Sequence, residues 1–71
     1  MPKNLAMKAA RAKRDMSQKE LAEAVGVSRQ TVNAIEQGEY NPIIKLCRAI
    51  CRTLGTTLDE LFWEDTEHEE E

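Results

Sequence analysis

The chain has 71 residues, 41% of them hydrophobic, and a formal net charge of −3, which bounds it to one small domain. A core this small is marginal alone, and pairing is a common further source of stability. Met1 to Asn4 run straight into a charged, alanine-rich segment, no apolar run is long enough to cross a bilayer, and two cysteines make no secreted disulfide framework. The expectation is a soluble cytoplasmic protein with no signal peptide and no membrane partner.

Residues 5–14 read as the first helix, with Asn4 as its N-cap. Ala6, Ala9, Ala10 and Ala12 favour helix, Met7 and Ala10 form a narrow apolar stripe, and Lys8, Arg11, Lys13 and Arg14 make the segment basic. Asp15 stands at the following corner, a residue type that reaches the left-handed conformation at modest cost. Ser17 and Glu20 form a capping box, with Met16 and Leu21 at staple positions. The second helix runs from Gln18 to Val25 and stops at Gly26. Ser28 is the next N-cap, Val27 and Val32 the next staple, and the third helix runs from Arg29 to Gln37 and stops at Gly38.

GEYNP, residues 38–42, is a loop of turn residues. Ile43 to Leu54 is the most apolar helix. Ile43, Leu46, Cys47, Ile50 and Leu54 recur at helical spacing, Ile44 and Cys51 widen the stripe, and Lys45, Arg48 and Arg52 take the outer face. Its cap is expected from Asn41, with Pro42 at the first helical position. Gly55 ends it. Thr57 and Glu60 form a further capping box, opening a short helix with Leu58, Leu61 and Phe62.

The charge is uneven. Residues 64–71 hold six acids and no Lys or Arg; the rest of the chain carries ten basic against seven acidic residues, about +3. The division expected is a mildly basic domain over residues 1–63 and an acidic, disordered tail over 64–71. Such a body is compatible with phosphate contact without the strong basic footprint of a non-specific binder.

The second and third helices, joined by a short turn with Gly, have helix-turn-helix form. Such a pair is either a DNA reader or only a hairpin. At roughly 100° per residue, Arg29, Gln30, Asn33 and Gln37 share one face, opposite Val32 and Ile35. Arg, Gln and Asn carry the donor and acceptor pairs that match guanine and adenine edges in the major groove. The competing reading is a polar surface helix of accidental composition.

SQKELAEAVGVSRQTVNAIEQGEYNP bears on the choice. Ser-Gln opens one helix, Leu-Ala lies inside it, Gly-Val-Ser makes the turn and Glu-x-Gly closes the second helix. This pattern resembles the Cro/C1-type (XRE-type) helix-turn-helix regulators, a family of phage repressors, small stand-alone bacterial regulators and some antitoxins. The resemblance covers about residues 5 to 62. It implies an all-α, five-helix lambda-repressor-like domain that binds double-stranded DNA without a cofactor.

The same resemblance implies roles for individual residues. Base reading falls to Arg29, Gln30, Asn33 and Ala34: Arg29 bidentate to guanine or else on phosphate, Gln30 to adenine, and Ala34 against a thymine methyl. Phosphate contacts fall to Gln18, Ser28, Thr31, Gln37, Tyr40 and Asn41; Gln18 is otherwise an ordinary polar first-turn residue, and Tyr40 otherwise packs on the domain. Arg11 is expected to pair with Glu36 in a structural ion pair. The family commonly dimerises through its last helix, which implies an isologous homodimer over Leu58, Leu61, Phe62 and Trp63; otherwise Phe62 and Trp63 cover the domain's own core. Residues 62 to 67 are also compatible with a short strand.

The function expected is a sequence-specific repressor reading an inverted-repeat operator as a homodimer. The alternative is an antitoxin-type interaction module, with a protein partner, that also autoregulates its operon. Cys47 and Cys51, four apart on one helix, stand about 5–6 Å apart at Cβ, too far for an unstrained disulfide. They read as small buried residues rather than a thiol sensor or metal site. No carboxylate pair, nucleophile–base pair or Gly-rich phosphate loop suggests an enzyme.

Overall fold

The computed structural model describes residues 3–62. The expected tail over 64–71, Trp63 and all but the first residue of the candidate strand lie outside them. The described chain is all-α: α1 (Leu5–Lys13), α2 (Gln18–Val25), α3 (Arg29–Gln37), α4 (Ile44–Leu54) and α5 (Leu58–Leu61). No described helix is long and apolar enough to cross a membrane.

Local chemistry sets most helix ends. The Ser17 hydroxyl accepts from the Glu20 N–H at 3.0 Å, and the Glu20 carboxylate accepts from the Ser17 N–H at 2.8 Å. This reciprocal pair satisfies two backbone donors that the helix itself leaves unpaired. Ser28 accepts from the Thr31 N–H at 3.1 Å and opens α3 directly after the turn. Gly26 ends α2 with φ +80°, a conformation that costs glycine nothing. Asp15 takes φ +58° at the α1–α2 corner.

The start of α4 departs from expectation. Asn41 does not cap it, and Pro42 lies before it. Ile43 is the N-cap, in extended conformation, and makes no side-chain capping bond. Pro42 is buried instead, and its carbonyl accepts from Cys47 Sγ at 3.6 Å. The helix begins at Ile44, three residues beyond Asn41, and Ile43 and Ile44 lie outward, 66% and 63% exposed. The apolar stripe of α4 therefore begins only at Leu46.

The core forms where the five amphipathic faces meet. Met7 of α1, Leu21 of α2, Val32 and Ile35 of α3 and Ile50 of α4 are fully buried, joined by Ala22, Cys51, Leu54 and Leu61. Helix α2 packs on α3 and α4, α1 lies against α3 and α5, and α4 touches α5. Full burial of a large aliphatic side chain contributes roughly 1.5–3 kcal/mol, so this set dominates the favourable side of folding. Two long-range bonds close the bundle. The Asn4 N–H donates to the Glu36 carbonyl at 2.8 Å, and Asn4 Nδ2 to the Leu61 carbonyl at 2.9 Å. Arg14 Nε donates to the Leu54 carbonyl at 2.8 Å, completing the C-terminus of α4.

Candidate nucleic-acid interface

Helix α3 has two opposed faces. Val32, Ile35 and Glu36 are buried, whereas Arg29, Gln30 and Asn33 are exposed. All three exposed side chains sit within the first five residues of a nine-residue helix. Such a helix is about 10–12 Å across with its side chains, which the B-DNA major groove admits. Ala34 and Gln37 continue the face and are half-buried.

A polar network lies behind this face. Glu36 is almost fully enclosed, its side chain 2% exposed. Its carboxylate accepts from Arg11 Nε at 2.8 Å and Nη2 at 3.3 Å. Gln18 Nε2 adds a third donor at 3.0 Å. Arg11 also donates from Nη1 to the Met16 carbonyl at 2.9 Å. The arginine thus ties α1 to α3 and to the corner leading into α2. A buried charge is tolerable only when paired and hydrogen-bonded, and here both conditions hold.

Gln18 has a different position from the one expected. The same nitrogen that donates to Glu36 also donates to Asn33 Oδ1 at 3.1 Å. Both amide N–H bonds are engaged inside the protein, and the side chain has none left for a phosphate in this arrangement. The reason is the buried carboxylate, which needs donors and recruits the nearest amide. What remains for an anion is the Gln18 backbone N–H at the start of α2, which has no intrahelical acceptor.

The other expected phosphate ligands are spread around the reading face. Ser28 Oγ and Thr31 Oγ1 bond each other at 3.0 Å. One bond engages one hydroxyl hydrogen, so the other hydroxyl still has its proton to donate. Tyr40 is 44% exposed and Asn41 is exposed, both in the loop leaving α3.

The expected pairing surface is only partly available. Leu61 is 6% exposed and belongs to the same core cluster as Met7 and Leu54. Little of its side chain is open to a second copy. Leu58 and Phe62 pack against the core and stay half-buried, and Trp63 lies outside the described residues. Cys47 and Cys51 are free and buried, and burial pushes both thiols up. Among the described residues no group of His, Cys, Asp and Glu is arranged to hold a metal.

Known proteins resemble this chain over most of its described length. A helix-turn-helix family profile matches residues 7–61. An HTH-type transcriptional regulator of Bacillus subtilis, YgzD, is 42% identical over 62 residues, covering 87% of this chain and 94% of the relative. An HTH-type transcriptional regulator of Archaeoglobus fulgidus is 44% identical over 57 residues, 80% of each chain. One of Methanocaldococcus jannaschii is 43% identical over 58 residues, covering 80% of this chain and 88% of the relative.

Proposed function

Because the chain belongs to the Cro/C1-type helix-turn-helix family of DNA-binding regulators, we propose that it is a transcriptional repressor that reads a specific operator with α3. The observation that carries this reading is the exposure of Arg29, Gln30 and Asn33 on one side of α3, with Val32, Ile35 and Glu36 holding the other side to the core. In the reading, Arg29 meets guanine, Gln30 meets adenine, and Ala34 lies near a thymine methyl. The Gln18 backbone N–H, Ser28, Thr31, Gln37, Tyr40 and Asn41 position the domain on phosphates without reading sequence.

The operator is an inverted repeat bound by a homodimer. Two copies of α3 then enter successive major grooves on one side of the duplex. Leu58, Phe62 and Trp63 are the candidate contacts between copies. Repression follows from occupying a promoter.

Selection of sites from a random duplex library, at several salt concentrations, tests the whole reading. Enrichment of an inverted repeat with half-site centres about 10 bp apart is the expected result. A single enriched half-site would remove the dimer and keep the reader. Weak binding to every sequence that vanishes as salt rises would refute sequence reading.

A further inference from the structure

Glu36 is a carboxylate and can only accept. Its position therefore settles which way the Gln18 amide faces: Nε2, not Oε1, must point at it, at 3.0 Å. The second N–H of that nitrogen reaches Asn33 at 3.1 Å, and so Asn33 must present Oδ1 to α2. The Asn33 NH2 group is left pointing elsewhere, on an exposed position of the α3 face. Polarity thus passes from the Arg11–Glu36 pair, through one glutamine, to an amide on the outside of the protein.

We propose that Gln18 is a specificity-setting positioning residue, which holds Asn33 as a hydrogen-bond donor so that Asn33 selects a guanine edge and rejects cytosine. The inference rests on the DNA-reading role of α3 proposed above. A free asparagine amide turns over and offers either end. Its paired contact with adenine uses both ends at once, the oxygen on N6–H and the nitrogen on N7. Here the bond from Gln18 holds the oxygen toward α2, and the end left free for a base is the NH2 group, a donor. Guanine presents two acceptors in the major groove, N7 and O6, whereas cytosine presents the N4 amino donor. The fixed amide matches the first and opposes the second. Gln18 touches no base; it acts through Asn33.

Site selection with three proteins tests the proposal: wild type, Asn33→Ala and Gln18→Met, each first checked for native helix content. Asn33→Ala identifies the base pair concerned by flattening preference there and nowhere else. At that pair the wild type is expected to favour guanine over cytosine by about fivefold or more. Gln18→Met, similar in size but without a donor, is expected to shift preference at the same pair toward adenine by a similar factor, leaving other positions unchanged. If Gln18→Met keeps the guanine preference, or weakens every sequence equally, the proposal is overturned while DNA reading stands. An Asn33→Ala protein with all preferences intact also overturns it. If the wild type enriches no sequence, the function proposed above fails and this inference falls with it.

A measurement without DNA keeps the proposal open to refutation even if Gln18→Met does not fold. In 15N-edited spectra of the wild type, the Gln18 side-chain N–H protons are expected to exchange slowly and those of Asn33 fast. The opposite order would reverse the polarity and overturn the proposal.

Discussion

Replacing Arg11 with methionine keeps much of the side chain's apolar stem and removes its charge. The Glu36 carboxylate then loses two of its three donors, those at 2.8 and 3.3 Å, and keeps only Gln18 at 3.0 Å. With the Glu36 side chain 2% exposed, water cannot replace them without opening the α1–α3 contact. Stranding one member of a buried pair costs about 3–5 kcal/mol. A domain of this size has a total stability on the order of 4–11 kcal/mol, so the variant is at or near the limit of folding. Thermal melts should show a midpoint lower by about 12 °C or more. Glu36→Leu is milder, because Arg11 is 14% exposed and retains the Met16 carbonyl at 2.9 Å. The decisive protein is the double variant, Arg11→Met with Glu36→Leu. Exchange of a whole buried ion pair for apolar side chains is often close to neutral, and the double variant should melt above Arg11→Met alone. Strictly additive losses would show that the pair is not coupled and would refute the argument.

Four smaller perturbations probe other parts of the fold. At Gly55, φ is +68° and an added Cβ would run into Arg14 Nη2, whereas at Gly26 it would meet open space. Gly26→Ala should lose about 1–2 kcal/mol for its left-handed backbone; Gly55→Ala should lose more in thermal melts, and the excess should vanish in an Arg14→Ala background. Ile43→Ser supplies the missing cap of α4 and should raise stability by about 0.5–2 kcal/mol, while a lowered melting point would show that the exposed isoleucine is engaged elsewhere. The side-chain bond from Thr56, with the Thr57 N–H at 3.2 Å, holds the Glu60 carboxyl below its ordinary 4.5. A lowered folded-state value stabilises above the ordinary pKa and is lost as pH falls through the folded one, so in acid titration the wild type should lose ground to Glu60→Gln only below about pH 4.5. Cys47 and Cys51 should react slowly with a thiol reagent in native buffer and fast in denaturant; rapid native modification would show that α4 opens.

The features legible in the sequence are those that local spacing controls. Ser17 with Glu20 and Thr57 with Glu60 lie three residues apart, and each pair forms its reciprocal cap. The residues at the left-handed corners, Asp15 and the glycines, need no knowledge of the rest of the chain. The α4 start was not legible, because the apolar stripe extends through Ile43 and Ile44 while the buried Pro42 ring decides where the helix begins. Residues on the α3 face could be read from period alone. The inward turn of the Gln18 amide could not: it depends on Glu36, eighteen positions away. Leu61 shows the same limit, since an apolar residue near the end of the domain fits a partner surface or a core equally well until its neighbours are known. The clips made by Asn4 and Arg14 join residues 57 and 40 positions apart, and no local signal in the sequence marks them.

Asn4 has a consequence for the order in which the domain comes together and apart. Its backbone holds the Glu36 carbonyl and its side chain the Leu61 carbonyl, so one residue fastens the last turn of α3 and the far end of α5. Contacts between α2 and α3 span few residues, whereas this clip closes nearly the whole chain, and loop-closure entropy makes such closures late events. Interactions that form after the folding barrier govern how fast a protein unfolds rather than how fast it folds. Release of Asn4 from the Glu36 and Leu61 carbonyls is therefore the expected first excursion from the native state, to be read by hydrogen exchange. It frees the C-terminal turn of α3 while the N-terminal turn stays fastened by Ser28. The domain can breathe at its seam without surrendering the end of the helix that carries Arg29 and Gln30.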